Sequence, residues 1–352
     1  MPGSIDRRLL FGFLPTWSTD VNNPAPNYDA DMATKMAGAH TQCARFSFNW
    51  DVIEPNAPVG GQHTYLWASF DAKVTLLTAH SIEPIGLIVG TPNWANPGNP
   101  AAPAFKLPDE AHQVDLSAFC QALASRYTGS VRYYEFWNEP STGMSFDVNE
   151  YTKWLGRARQ ALTSPSGNPA AQVSLGGLDI SSTANGDYQP DPARTRTDYL
   201  QGVYDYIQGQ GQSPDAYFDA IALHPYEYQP RFLGIPPINI DGVEAHWQLM
   251  LSKGDGEKTV WVTEYGWDMN RFGTDEQAAW LVEALDLLAA GQRTYLVIAT
   301  MHLFADHDLP APLHYGVCYS NLTERPAYGA FRDYAAPRTP TWESKAPFVT
   351  LV

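Results

Sequence analysis

The chain repeats one pattern along its length: an apolar run rich in β-branched and aromatic residues, followed by a segment with helical spacing. The starts of these runs lie about 35–50 residues apart, the length of one strand, one helix and two loops. The runs are continuous rather than alternating, which is typical of parallel strands buried on both faces. The predicted strands are residues 9–17, 42–49, 83–89, 131–137, 172–178, 218–224, 259–264 and 294–304.

The segments between the runs predict helices. The spacing is clearest after the third run, where Leu116, Phe119 and Leu123 fall on one helical face. After the seventh run, Thr274 with Gln277 has the pattern of a capping box that opens a helix. The other predicted helices are residues 30–39, 68–80, 148–162, 197–208, 243–251 and 327–334.

Eight strands, each followed by a helix, are the number found in a (β/α)₈ barrel, so we predict an α/β TIM barrel. A single catalytic domain covering residues 1–352 is expected. The alternative is a doubly wound open sheet, which usually has a glycine-rich turn after its first strand. Here the first run ends in LPTW at 14–17, without such a turn, and the barrel is favoured.

The charge of the chain limits its partners. It has 38 acidic and 22 basic side chains, a formal charge of −16 that repels phosphate backbones and anionic membrane surfaces. No apolar run reaches the roughly 18–20 residues of a membrane span. We therefore expect no nucleic-acid partner and no membrane partner. A monomer is also expected. Residues 1–8 lack the features of a secretory signal, which suits a cytoplasmic protein or a secreted one whose signal has been removed.

The cysteines and two long loops give further predictions. The three cysteines, Cys43, Cys120 and Cys318, lie among apolar residues and are expected to be buried free thiols. Two long loops rich in glycine, proline and polar residues, 97–108 and 181–196, are expected to shape a cleft.

Two glutamates stand where predicted strands end. The active site of such a barrel lies at the carboxyl ends of its strands. The fourth run ends in WNEP at 137–140, and the seventh ends in TEYG at 263–266. Either glutamate alone could be a surface acid or a partner in a structural ion pair. Together, Glu139 and Glu264 can face each other across the barrel mouth, and two facing carboxylates are what glycoside hydrolysis requires.

These motifs resemble those of the retaining glycoside hydrolases of clan A. The nearest family is glycoside hydrolase family 39 in its broad sense, including bacterial members that cleave exopolysaccharides, and family 5 is second. The resemblance covers nearly the whole chain. Besides the two glutamate motifs, it rests on RFSFNW at 45–50, IEP at 53–55, TPNWA at 91–95 and RPAY at 325–328.

The resemblance implies a role for each matching residue. Glu139 would be the general acid/base, Glu264 the nucleophile, and Asn138 the ligand of the sugar 2-hydroxyl. Arg45 would reach Glu264 and keep it ionised, because a nearby opposite charge lowers the pKa of a carboxylate. Arg45 could instead pair with a structural acid such as Asp51. A retaining mechanism further predicts carboxyl groups about 5–5.5 Å apart.

The sixth run ends in His224 and Tyr226, the H-x-Y pattern of several clan A families. There the histidine contacts the sugar and the tyrosine hydroxyl supports the nucleophile, whereas a purely structural role is the alternative here. Trp94 and Trp267 follow the third and seventh strands and are candidates for stacking on sugar rings, with simple packing as the alternative for both.

The eighth run departs from the commonest clan A pattern, since it has no tryptophan to form the floor of the −1 sugar site. His302 or Phe304 would replace it. The polar cluster of His302, Asp306, His307 and Asp308 could suggest a metal site, but it has no zinc-type spacing, and an ordinary polar loop is expected.

The function predicted from these residues is a retaining O-glycoside hydrolase that cleaves β-type bonds of a neutral oligo- or polysaccharide. It needs no cofactor and no metal. The alternatives are a barrel that binds carbohydrate without turnover, a transglycosylase, and a hydrolase of another chemistry on the same scaffold. Two further acids, Glu54 and Glu135, are expected to be structural.

Overall fold

The fold is a closed barrel of eight parallel strands that neighbour one another in chain order. The structure is a computed structural model, and it describes residues 9–142, 144–181, 197–227, 235–309 and 312–336. The predicted (β/α)₈ fold is confirmed. The strands are β1 Leu10–Phe13, β2 Cys43–Asn49, β3 Glu83–Val89, β4 Tyr133–Asn138, β5 Gln172–Asp179, β6 Ala220–His224, β7 Thr259–Val262 and β8 Leu296–Met301.

Helices follow the strands and cover the outside of the barrel. They are α1 Tyr28–Gly38, α2 Trp50–Ile53, α3 Ala68–Ala79, α4 Gln113–Arg126, α5 Val148–Leu162, α6 Asp198–Gly209, α7 Ile240–Ser252, α8 Thr274–Ala289 and α9 Pro326–Ala335. The main apolar core contains side chains from both the strands and the helices. The strands are buried along nearly their whole length, as their continuous apolar runs predict.

Helix α5 shows how this layer supports the barrel mouth. Asp147 begins the helix by accepting hydrogen bonds from two backbone N–H groups of the first turn. One turn on, the buried Tyr151 hydroxyl donates to Phe136 O and accepts from Gly176 N, both at 2.7 Å. The helix thus joins β4 to β5 close to their carboxyl ends.

Two local predictions are corrected. The first predicted strand, 9–17, ends at Phe13, since Pro15 has no N–H group to continue the ladder. Helix α8 begins after Gly273, whose N–H donates to Glu276 rather than to the predicted partner, Gln277. The Gln277 side chain is instead buried and donates to the carbonyl oxygens of the loop after β8.

The three cysteines are buried free thiols, as predicted. None of the described helices is long and apolar enough to cross a membrane. Of the two predicted cleft loops, 97–108 is described, whereas nearly all of the other, residues 182–196, lies outside the described residues. The assignment of the whole chain to one domain stays a prediction.

Candidate active site

Glu139 and Glu264 follow the carboxyl ends of β4 and β7, as predicted. The backbone at the end of β4 is unusual: Trp137 and Glu139 have φ angles of 70° and 44°, a left-handed region that side chains other than glycine rarely adopt. The Glu139 N–H is held by Gly177 O of β5 at 3.0 Å. Such local strain persists only where the surroundings enforce it, and it is common at functional sites.

The two carboxylates lie close together. An oxygen of Glu139, an oxygen of Glu264 and a ring nitrogen of His224 are all within 4.8 Å of one another. The Glu264 side chain is 11% exposed and that of Glu139 is 25% exposed. The pair therefore has one enclosed carboxylate and one that is more open to solvent.

Glu264 is surrounded by groups that favour its ionised form. Its Oε1 accepts from Arg45 Nη1 at 2.7 Å, and its Oε2 accepts from the Tyr226 hydroxyl at 2.9 Å. Nδ1 of His302 lies 3.5 Å and Nδ1 of His224 3.8 Å from Oε2. Burial by itself would raise the pKa of Glu264, but His224, His302, Arg45 and the Tyr226 hydrogen bond together hold this pKa well below its ordinary value.

Arg45 lies on β2 and is 2% exposed. Its Nε and Nη2 donate to the two oxygens of Glu135 at 2.7 and 3.0 Å, in addition to the contact with Glu264. The alternative pairing of Arg45 with Asp51 is not observed. Glu135 is fully buried within β4, near the middle of the strand, and its two oxygens are held by Arg45.

Asn138 is oriented by the same arginine. Its Oδ1 accepts from Arg45 Nη2 at 2.8 Å, which leaves its NH₂ group as the free donor. Within the described ranges this NH₂ group has no hydrogen-bond partner. The side chain is half-buried beside Glu139 and can donate to a ligand oxygen there.

His224 connects the pair to the barrel wall. It is fully buried, with Nδ1 3.0 Å from Glu139 Oε1 and Nε2 3.1 Å from Thr263 Oγ1. Burial alone would lower the pKa of His224, but the neighbouring Glu264 and the hydrogen bond to Glu139 outweigh burial and raise it. The charged form of the ring is thus stabilised next to Glu139.

Replacing Tyr226 by Phe is expected to reduce kcat/KM about tenfold, the effect of one hydrogen bond to a charged group. The change removes a donor that stabilises the carboxylate, so the pKa of Glu264 rises toward its ordinary value. As the nucleophile that the resemblance implies, Glu264 must be ionised, so the acidic limb of the kcat/KM profile is expected to move to higher pH. Tyr265→Phe is the matched control, because the buried Tyr265 hydroxyl has no hydrogen-bond partner among the described residues. An acidic limb in Tyr226→Phe identical to that of the wild type would contradict the assignment.

At the end of β8, only one of the two predicted floor residues lies at the site. His302 contacts the Tyr226 hydroxyl through Nδ1 at 2.7 Å, and its ring stacks on Tyr315 with centroids 5.4 Å apart. Burial lowers the pKa of His302. Phe304 is instead fully buried and packs edge-on against Phe13, so it has no open ring face for a sugar. Tyr315 belongs to no motif of the sequence that would indicate a place in the site.

The two predicted tryptophan platforms also differ from expectation. Trp267 is 1% exposed, and its Nε1 donates to Pro237 O, so its ring belongs to the core and offers no face to a sugar. Trp94 is half-buried, packs edge-on against Trp50, and donates through Nε1 to Glu54 O. The hydrogen bond and the ring contacts of Trp94 involve Glu54, Trp50 and His112, and neither Glu139 nor Glu264.

The polar cluster after β8 has protein partners. Both oxygens of Asp306 bind Arg325 at 2.6 Å, in a pair that is nearly fully buried. Asp308 accepts from the backbone N–H of Asn22 at 3.1 Å. These contacts fix the loop after β8 to the segment before α1 and to the start of α9.

Within the described residues, the one group with the spacing of metal ligands is Glu139, His224 and Glu264. The Arg45 guanidinium binds an oxygen of Glu264 at 2.7 Å, and its positive charge opposes a cation beside it. The raised pKa of His224 also favours a protonated ring, which is not a metal ligand. The donor set suits proton transfer better than metal binding.

No family model matches the chain, and no curated protein matches its sequence. Solved structures do match. A family 39 glycoside hydrolase from Bacteroides cellulosilyticus WH2 superposes with a TM-score of 0.70 at 20% identity, covering 95% of this chain and 64% of that one. A monomeric β-xylosidase from Caulobacter crescentus CB15 gives 0.67 at 15% identity, covering 94% and 71%.

A GH5_18 protein from Streptomyces cattleya, solved in complex with GlcNAc, gives a TM-score of 0.62 at 16% identity, covering 97% of this chain and 82% of that one. At these identities the likeness shows a shared fold. The resemblance to families 39 and 5 of clan A is therefore confirmed in the architecture of the barrel. The chain spans 64% of the length of the family 39 structure.

Proposed function

We propose that this chain is a retaining glycoside hydrolase, with Glu264 as nucleophile and Glu139 as general acid/base. The observation that carries the proposal is the pair of carboxylates with oxygens within 4.8 Å of each other. Nearest oxygens this close fit the carboxyl separation of about 5–5.5 Å in retaining enzymes better than the about 6.5–9.5 Å that an inverting enzyme needs to hold a water between the two groups. The solved structures that share the fold, including a β-xylosidase, support the same class.

In the first step, Glu264 attacks the anomeric carbon and the glycosidic C–O bond breaks. Glu139 gives its proton to the leaving oxygen, so the departing group leaves as a neutral alcohol. The different surroundings of the carboxylates suit this division: Arg45 and Tyr226 keep Glu264 ionised, while Glu139 is open to solvent. The product is a glycosyl ester of Glu264.

In the second step, water enters where the leaving group was. Glu139, now a carboxylate, takes a proton from this water, whose oxygen attacks the anomeric carbon and releases Glu264. Two inversions give net retention. The NH₂ group of Asn138 would donate to the 2-hydroxyl of the sugar, a hydrogen bond that strengthens in the transition state.

The substrate is proposed to be a β-linked oligo- or polysaccharide with a neutral sugar in the −1 site. A net charge of −16 disfavours a polyanionic substrate. His302 and Tyr315 would form the part of the −1 site that a tryptophan provides in many clan A enzymes. We propose a monomer that acts without a cofactor.

The test is a screen of plant, fungal and bacterial polysaccharides and aryl glycosides, followed by ¹H NMR of the first-formed product. We expect the β-anomer to appear first from a β-linked substrate. An α-anomer as first product would exclude the retaining mechanism, and binding of a glycan without any turnover would favour a carbohydrate-binding barrel. New, longer oligosaccharides at high substrate concentration would show that transglycosylation competes with hydrolysis.

A metal-dependent hydrolase is the second candidate, because Glu139, His224 and Glu264 have the spacing of a metal site. The two candidate functions differ in whether activity needs a bound metal ion. Incubation with a strong chelator, followed by gel filtration, leaves the activity of a two-carboxylate glycosidase unchanged. Loss of activity that added Zn²⁺ or Mn²⁺ restores would favour the metal-dependent reaction.

A further inference from the structure

A chain of buried hydrogen bonds runs beneath the two catalytic candidates. It starts at Glu135 on β4, passes through the hydroxyl of Thr263 after β7, and ends at His224 on β6, which contacts Glu139. Each of these three residues is fully buried. None of the three is needed for the chemical steps described above, and their arrangement calls for a separate explanation.

Glu135 can only accept hydrogen bonds in this setting. Its Oε1 accepts from Arg45 Nη2 at 3.0 Å, from the Gly177 N–H at 2.7 Å and from the Thr263 hydroxyl at 3.3 Å. Its Oε2 accepts from Arg45 Nε at 2.7 Å. Donors face both oxygens, so a protonated Glu135 would have no acceptor for its own hydrogen. Glu135 is therefore a buried carboxylate paired with Arg45.

This arrangement determines which nitrogen of His224 carries a hydrogen. The single hydrogen of the Thr263 hydroxyl is directed to Glu135, so its oxygen acts as acceptor toward His224 Nε2 at 3.1 Å. Nε2 therefore keeps its hydrogen, and Nδ1 is the nitrogen that faces Glu139 Oε1 at 3.0 Å. A protonated ring donates from Nδ1 to Oε1, which leaves Oε2 of Glu139 to carry the proton for the leaving group.

Gly177 makes this packing possible. A side chain at Gly177 would place its Cβ 2.0 Å from Nε2 of His224, so only glycine leaves room for the ring. The same residue donates its N–H to Glu135 and accepts from the Glu139 N–H through its carbonyl oxygen. It lies where the register between β5 and β6 shifts.

We infer that Glu135 and Thr263 are positioning residues that keep a hydrogen on Nε2 of His224 in both the neutral and the protonated ring, so that its Nδ1 faces and orients Oε1 of the acid/base Glu139. Through Arg45 the same Glu135 also positions the nucleophile, which links both catalytic carboxylates to one buried acid. The inference rests on the proposed function for its effect on catalysis. The tautomer of His224 is a property of the free protein and can be measured without any substrate.

The charged and titratable groups that face His224 come from several elements. They are Glu135 and Glu139 of the β4 region, Glu264 after β7, Arg45 of β2, His302 after β8, and Tyr226, which follows His224 itself. A change confined to Thr263 leaves all six in place. Its effect on His224 therefore reports on the hydroxyl alone.

The test compares Thr263→Val, which removes the hydroxyl at nearly constant volume, with Thr263→Ser, which keeps it. The backbone groups of Thr263 bond to Leu223 and Thr300 and are unaffected by either change. Thr263→Ala serves as a second hydroxyl-free variant if the valine does not fold. The nine histidines are labelled with ¹⁵N, and the signal of His224 is assigned by its loss in His224→Gln.

We expect the wild type and Thr263→Ser to show His224 with a hydrogen on Nε2 across the titration. In Thr263→Val the Nε2–H loses its buried acceptor, so His224 loses its proton at lower pH and the Nδ1–H tautomer becomes populated. With a glycoside of poor leaving group, kcat/KM should fall about tenfold in Thr263→Val, the effect of one lost hydrogen bond. With a dinitrophenyl glycoside, which needs no protonation, it should change less than about twofold.

Unchanged His224 nitrogen signals in Thr263→Val would overturn the inference, whatever the activity. Equal losses for both leaving groups would also overturn it, because a merely structural defect reduces both rates alike. If the wild type hydrolyses no glycoside at all, the proposed function fails, while the NMR comparison still decides whether the hydroxyl sets the tautomer of His224.

Discussion

Replacing Glu264 by Ala is expected to abolish turnover, with a loss of about 10⁴-fold or more, a size that follows removal of the nucleophile in other covalent hydrolases. The loss should not depend on the leaving group, since without the nucleophile no glycosyl-enzyme forms. The fold should persist, because Arg45 keeps its two hydrogen bonds to Glu135. Initial rates on an oligosaccharide and on a dinitrophenyl glycoside, with the thermal midpoint as a check of folding, make the measurement.

Glu54→Gln is the matched control for a buried carboxylate. Glu54 is fully buried, and it binds Trp50 and His63 on the β2 side of the barrel, away from the mouth residues. We expect this variant to keep its turnover even if it loses some stability. Near-wild-type activity in Glu264→Ala would show that Glu139 and Glu264 are not the catalytic pair.

Replacing Glu139 by Ala is expected to produce a different defect, which depends on the leaving group. With an unactivated glycoside, kcat/KM should fall about 10²–10⁴-fold, the contribution of general acid catalysis. With a dinitrophenyl glycoside the glycosyl-enzyme should still form, but it should break down slowly because no base activates the water. A burst of dinitrophenol followed by a slow steady state is the expected signal in stopped-flow absorbance.

Azide provides the control for this variant. A small anion fits the space of the missing carboxylate and needs no general base, so it should speed the slow phase and yield a β-glycosyl azide. The wild type, in which Glu139 fills this space, should show no such effect. An α-glycosyl azide, or equal losses with both leaving groups, would contradict the role assigned to Glu139.

The barrel could be predicted from the sequence because its strands are buried on both faces. Such strands appear as continuous apolar runs, and the third, 83–89, coincides with the observed β3. Prediction was less accurate where apolar residues continue beyond the ladder. The first run was predicted to reach residue 17, whereas β1 ends at Phe13, and the eighth extends past Met301 into the loop that holds His302.

The site could be predicted only where a residue with suitable chemistry follows the end of a predicted strand. Glu139 and Glu264 follow strand ends, and the structure brings both to the same mouth together with Arg45, His224 and Tyr226. Whether a side chain is accessible at the mouth depends on its burial, which cannot be predicted from its position after a strand. Trp267 follows a strand end as well, yet its ring lies in the core.

The supporting residues had no signal in the sequence. Thr263 was part of a motif only as the neighbour of Glu264, and Gly177 is one glycine of an unremarkable strand. Their importance comes from contacts between β4, β5, β6 and β7 that depend on the register of the barrel. Glu135 was expected to be structural. Its ion pair with Arg45 depends on the positions of β2 and β4 in the barrel, which the sequence does not give.

The most direct test of the central assignment is to identify the residue that becomes covalently bound to the sugar. A 2-deoxy-2-fluoro β-glycoside with a dinitrophenyl leaving group slows both steps and lets the glycosyl-enzyme accumulate. After digestion, peptide mass spectrometry should find one added fluoroglycosyl group on the segment containing Glu264, held there next to Arg45 and Tyr226. A label on Glu139 would reverse the two roles. Release of dinitrophenol in steady turnover, with no labelled peptide at any time, would contradict a covalent mechanism.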